Sequence, residues 1–137
     1  MDRGLSVYIS ASAEMDAECE VIGQTLAGVT TTRRATIRRT PEGGNPDLEG
    51  LASSHIYIIL LGTDLEAPIG VEWEAARRAG LATLGYRNAE VTPSPAMTDF
   101  LRRQEFAWQE YHTPAEFRRK MERTLLKRLL DETPGTG

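Results

Sequence analysis

The chain has 137 residues, 40% hydrophobic and 26% charged, which predicts one soluble globular domain and excludes wholesale disorder. No apolar run approaches membrane-spanning length, and no basic stretch with a secretory hydrophobic core opens the chain; a cytoplasmic protein without a membrane partner is expected. A net charge of -4 argues against nucleic-acid binding, and Cys19, the only cysteine, leaves no internal disulfide or thiolate metal cluster.

Leu5-Ser6-Val7-Tyr8-Ile9-Ser10 is rich in β-formers and reads as a first strand. A helix follows, with Ser12 as its N-cap, Glu14 and Asp16 at the positive end of its dipole, and Met15, Cys19, Ile22 and Leu26 at helical spacing. That spacing makes Cys19 core filler rather than a nucleophile. Gly28 is expected to end the helix. The threonine-rich stretch Val29 to Arg39 suits an edge strand whose arginines (Arg33, Arg34, Arg38, Arg39) keep it solvated. After the loop around Gly43 and Gly44, Asn45 and Pro46 are expected to open a short helix through Leu48 and Leu51.

Ile56-Tyr57-Ile58-Ile59-Leu60-Leu61 is an unbroken apolar run of strand length, the pattern of a strand buried on both faces. Ile69 to Ala79 behind it reads as a crossover helix stopped by Gly80, and Leu81 to Tyr86 as a fourth strand. Ser94 and Pro95 cap a short helix through Phe100 and Leu101, and Phe106 to Tyr111 alternates as a half-exposed fifth strand. Thr113-Pro114-Ala115-Glu116 is a capping box leading into a last helix. Phe117, Met121, Leu125 and Leu129 form its core stripe, broadened by Leu126 and Leu130, and its basic residues form a solvated face. Alternating strands and helices predict a single α/β flavodoxin-like domain over residues 1–133, with a five-stranded parallel sheet in order 2-1-3-4-5 and helices on both faces. Residues 134–137 are expected to be a tail or the start of a linker.

No glycine-rich phosphate loop, metal-ligand cluster or nucleophile elbow is present, and His55 and His112 are isolated in sequence. No metal and no cofactor is expected. What remains is an acidic set beyond the carboxyl ends of the first and third strands: Glu14, Asp64, Glu66, Glu72 and Glu74. Ligands of open parallel sheets bind in that region. Glu72 is expected in the first turn of its helix, partly exposed, facing a crevice bordered by residues 10–14 and 62–68. An anion held there can support an oxocarbenium-like sugar centre, although acidic residues are enriched in first turns simply because they stabilise helices. Trp73 beside it is placed to flank a base, or to pack on the sheet as helix tryptophans commonly do. Ser10, Ser12, Asp64 and Glu66 complete the candidate substrate-binding set; Ser12 and Glu14 serve equally as helix cap and dipole compensation.

Val7-Tyr8-Ile9-Ser10-Ala11-Ser12 followed by an acidic helix resembles the opening of Toll/interleukin receptor (TIR) domains and of a related bacterial domain of unassigned function. In that domain a buried strand ending in glycine leads to a helix reading Glu, aromatic, any, small, Ala, with Gly eight residues after the Glu. Glu72-Trp73-Glu74-Ala75-Ala76 with Gly80 is similar to that segment, and to the Glu, Ala and Gly spacing of nucleoside 2-deoxyribosyltransferases. The resemblance implies two functional classes. In one, Glu72 is the catalytic carboxylate of an effector cleaving an N-glycosidic bond of NAD or of a related nucleotide or nucleoside, in bacterial signalling or defence, with NAD as substrate rather than cofactor. In the other, the domain is a non-catalytic module of a larger signalling protein, working by self-association or through fused signalling domains.

Overall fold

The run Ile56 to Leu61 forms β3 (Ile56–Leu61), buried along its whole length between β1 (Leu5–Ser10) and β4 (Ala82–Asn88). The computed structural model describes residues 4–29 and 34–132. Within them β2 (Ala35–Arg39) and β5 (Gln109–Tyr111) complete a sheet of order β2-β1-β3-β4-β5 in which every neighbouring pair is parallel. This is the expected flavodoxin-like arrangement. Arg33 and the 134–137 tail lie outside the described residues.

Alternate strand residues point to opposite faces, so the sheet carries two cores. Val7, Ile9, Ile58 and Leu60 pack under α1 (Asp16–Val29) and α5 (Pro114–Glu132), against Ile22, Leu26, Phe117, Met121 and Leu125. Tyr8, Tyr57, Ile59 and Leu61 pack on the other face under α2 (Leu48–Ala52), α3 (Ala67–Ala79) and α4 (Pro95–Arg103), against Leu51, Trp73, Met97 and Phe100. Among the described residues no helix is long and apolar enough to cross a membrane.

Several terminators fall where expected. Gly80 closes α3 in the left-handed region at φ 67°, where a side chain would be strained, and Ser94 caps α4 by accepting from the Met97 N–H. Thr113 Oγ1 accepts from Glu116 N–H while the Glu116 carboxylate reaches back to His112 N–H, a capping box displaced by one residue at its return bond. His55 is a satisfied strand-end histidine, its Nδ1 accepting from Ser6 N–H at 2.9 Å. Cys19 lies half-buried against the core, its thiol pushed up to about 11 by burial.

Other boundaries move for local physical reasons. The Ser12 hydroxyl caps nothing: a single 3-10 turn, Ala13–Met15, precedes α1, which then runs through Gly28. Asp47, not Asn45, caps α2, accepting from Gly50 N–H while also pairing with Arg38. β5 is shorter than its alternating pattern, because Phe106 and Trp108 leave the strand to pack on Gly85 and on Trp73. A Cβ on Gly85 would stand 2.6 Å from the Trp108 ring. Leu126 and Leu130 face outward, so the buried stripe of α5 is narrower than expected.

Candidate active site

The central feature of the α3 side is a carboxylate placed where the helical pattern calls for an apolar residue. Pro68, favourable in a first turn, lets α3 begin at Ala67, and its buried residues are Ile69, Glu72, Trp73 and Ala76. Their spacing is that of a sheet-facing stripe. Glu72 is therefore fully buried in the second turn of α3, which corrects the expectation of a partly exposed first-turn residue.

The sheet below it is built to receive that group. Tyr8 and Ser10 project from the same face of β1, Tyr57 stands beside Tyr8 on β3, and Thr40 continues the β2 ladder next to Ser10 through its N–H bond to the Ile9 carbonyl. Tyr8 donates its hydroxyl to Glu72 Oε2. Ser10 Oγ at 2.7 Å and Thr40 Oγ1 at 2.5 Å both donate to Oε1. Behind them Tyr57 donates to Ser10 Oγ at 2.6 Å, and Ala11 N–H donates to Thr40 Oγ1 at 3.1 Å. Burying a carboxylate without partners costs several kcal/mol, whereas a hydrogen bond to a charged group contributes about 1.5–3 kcal/mol, so three donors offset much of the penalty. Burial is the main force raising the Tyr8 hydroxyl above the ordinary phenol range, reinforced by its bond to Glu72. Burial also raises Tyr57, against the opposing influence of its bond to Ser10. Both hydroxyls thus keep the proton that they donate.

A cleft of about 300 Å³ opens just above this network, beyond the carboxyl ends of β1 and β2. Ser12, Arg39, Thr40, Glu42, Glu66 and Pro68 line most of it. Arg39 is held by Asp16 at 2.8 Å and by the Ser12 carbonyl at 2.9 Å. Glu66 precedes α3 without a side-chain cap bond, so its carboxylate is available to the cleft. Among the described residues, Thr40 alone both lines the cleft and hydrogen-bonds Glu72.

The candidate set therefore divides. Ser12 and Glu66 border the cleft, and Ser10 and Glu72 meet beneath it. Asp64 lies outside the lining, accepting from Leu65 N–H and from the Ser94 hydroxyl, which ties the β3–α3 loop to α4. Trp73, considered as a base-stacking residue, is instead buried among Tyr57, Phe100, Phe106 and Trp108, its indole N–H donating to Gln104 at 3.0 Å. Glu14 accepts from Thr63 and packs flat on Gly62, where a Cβ would come within 2.6 Å of it. Tyr8, Thr40 and Tyr57 join the site although no motif points to them. The signals for Tyr8 and Glu72 were present: strand positions 8 and 10 share a face, and Glu72 occupies an apolar-stripe position. Thr40 becomes visible only with the β1–β2 register. Among the described residues no group of three or more His, Cys, Asp or Glu is arranged to hold a metal ion.

No family model matches the sequence, and no curated protein matches it. A solved structure does share the fold: the CMP N-glycosidase BcmB of Clostridium botulinum superposes with a TM-score of 0.53, covering 85% of this chain and 98% of that one, at 11% identity. At that identity the likeness is one of fold.

Proposed function

We propose that this chain cleaves an N-glycosidic bond of a nucleotide or nucleoside, with Glu72 as the carboxylate that stabilises or captures the sugar cation. The observation that carries the reading is the buried carboxylate itself, held by three hydroxyl donors one side chain below a cleft with hydrogen-bonding walls. In the reaction the C1′–N bond breaks and the base leaves with its electron pair; a base that is neutral when bound, such as cytosine, takes up a proton from solvent, whereas the cationic nicotinamide ring of NAD leaves as the neutral base. Water, or an acceptor base in a transfer reaction, then bonds to C1′ and releases a proton. A Glu72 oxygen faces the developing positive charge or bonds to C1′ in between, while Tyr8 and Ser10 fix its orientation. Ser12 and Glu66 suit contacts to ribose hydroxyls, which a carboxylate accepts readily. The fold shared with a CMP N-glycosidase supports a nucleotide substrate, and the resemblance to TIR domains adds NAD to the substrates worth testing, with a role in bacterial signalling or defence.

A second reading rests on the complete burial of Glu72: a sealed carboxylate can serve as a structural strut in a non-catalytic module that signals by self-association or through fused domains. Incubating the concentrated protein with CMP, NAD, NADP and deoxynucleosides and assaying for free base separates the two. Base release that disappears in Glu72→Gln supports the enzyme. No release from any of them, together with concentration-dependent association, supports the module.

A further inference from the structure

Thr40 occupies a position shared by no other described residue, with its hydroxyl on the Glu72 carboxylate and its surface on the cleft. Two of its three fixed bonds belong to the scaffold, since Ala11 N–H donates to its Oγ1 and its own N–H donates to Ile9. Its third bond differs in kind. Glu72 Oε1 already accepts from Ser10, whose hydroxyl is backed by Tyr57, so this oxygen stays partnered if Thr40 withdraws. Oε2 has a separate donor in Tyr8. The backbone beyond Thr40 enters Pro41 and a turn with both Gly43 and Gly44 at φ 77°, a conformation that glycine adopts without strain. The side chain between cleft and carboxylate is thus the one whose bond to Glu72 is replaceable by another hydroxyl.

We propose that Thr40 is the positioning residue of this site: it shields Glu72 in the free protein and yields its place on Oε1 to a sugar hydroxyl of the substrate. The proposal rests on the N-glycosidase reading for the identity of that hydroxyl, but its shielding half is measurable without turnover. Treating the folded protein with a water-soluble carbodiimide and a small amine converts accessible carboxyls to amides, and peptide mass spectrometry reads the rate at each glutamate. In the wild type Glu66 should label quickly and Glu72 slowly. Thr40→Ala should raise labelling of Glu72 several-fold while the circular dichroism spectrum stays unchanged, Thr40→Ser should restore protection, and Tyr57→Phe should leave it intact. Equal protection in Thr40→Ala, or equal loss in Tyr57→Phe, would overturn the shielding role whether or not the protein releases base. Thr40→Val keeps the shape but removes both the donor to Glu72 and the acceptor for Ala11 N–H, so substrate no longer competes with a protein hydroxyl for Oε1 and KM should fall relative to the wild type. A KM unchanged or raised in Thr40→Val would overturn the displacement role.

Discussion

The two faces of the sheet are filled by different physics. Under α1 and α5 the contact is mainly aliphatic and aromatic, with Val7, Ile9, Ile58 and Leu60 against Ile22, Phe117, Met121 and Leu125, and its hydroxyl contacts, Tyr86 with Thr124 and Tyr111 with Glu18, are isolated pairs that are only part-buried. Under α3 the same strands present Tyr8, Ser10 and Tyr57, and the helix answers with Glu72 within its buried stripe and Trp73 one residue later in an aromatic cluster. An apolar face tolerates repacking because its attractions are non-directional. A hydroxyl–carboxylate network does not, because each donor must find its acceptor. One sheet therefore divides its work: both faces bury an apolar core that holds the fold together, and the α3 face in addition fixes the buried Glu72 carboxyl group beside a cleft.

Substitutions should respect that division. The largest stability loss is expected from Trp73→Ala, about 3–5 kcal/mol, because a fully buried indole with four ring neighbours leaves a cavity that its neighbours cannot fill. Urea unfolding measures it, and a loss under 1 kcal/mol would mean that the aromatic cluster is loosely packed. Leu125→Ala tests the opposite face, with an expected cost of about 2–5 kcal/mol and no effect on base release.

A pH titration probes both faces together. All four tyrosines are raised by burial, and Tyr86 on the α5 side is pushed up to about 12 with Thr124 as its partner. A phenol raised in the folded state contributes stability that is fully present below the unfolded value near 10.0 and is lost as pH rises through the folded one. Stability should therefore fall between about pH 10 and 12, by about 2–3 kcal/mol from Tyr86 alone. Denaturant curves across that window, with the tyrosinate absorbance followed in parallel, check it; ionisation of all four phenols at the ordinary value without unfolding would contradict the burial. Tyr57→Phe should have the smallest effect. It removes only the hydroxyl backing Ser10 and should cost about 1 kcal/mol, against no loss if that bond is idle.

The sequence made the α1/α5 face more legible than the α3 face. Unbroken or periodic apolar runs specify β3 and the Phe117, Met121 and Leu125 stripe, and the parallel order follows from alternating elements. Turn chemistry placed Gly80 and Ser94 correctly, where one residue type meets one backbone requirement. Pro68 marks a start for α3 earlier than Ile69, which puts Glu72 in the second turn, and the spacing of Ile69, Trp73 and Ala76 puts it on their buried face. Trp73 invited a ligand reading because its partners Phe106 and Trp108 are distant in sequence and leave the strand that their alternation suggested. Thr40 carried no signal at all, since its place beside Ser10 is a property of strand register.

Glu72→Gln decides whether the buried carboxyl group of the α3 face is chemical or structural. Glutamine keeps the side-chain length and one acceptor oxygen, so the far-ultraviolet circular dichroism spectrum should be retained, and a cost of about 1–3 kcal/mol is expected for the mismatched hydroxyl donors. Release of free base from nucleotide or nucleoside substrates, measured side by side with the wild type, should then fall to background. A folded Glu72→Gln protein that releases base at the wild-type rate would make Glu72 a structural strut and not the catalytic carboxylate.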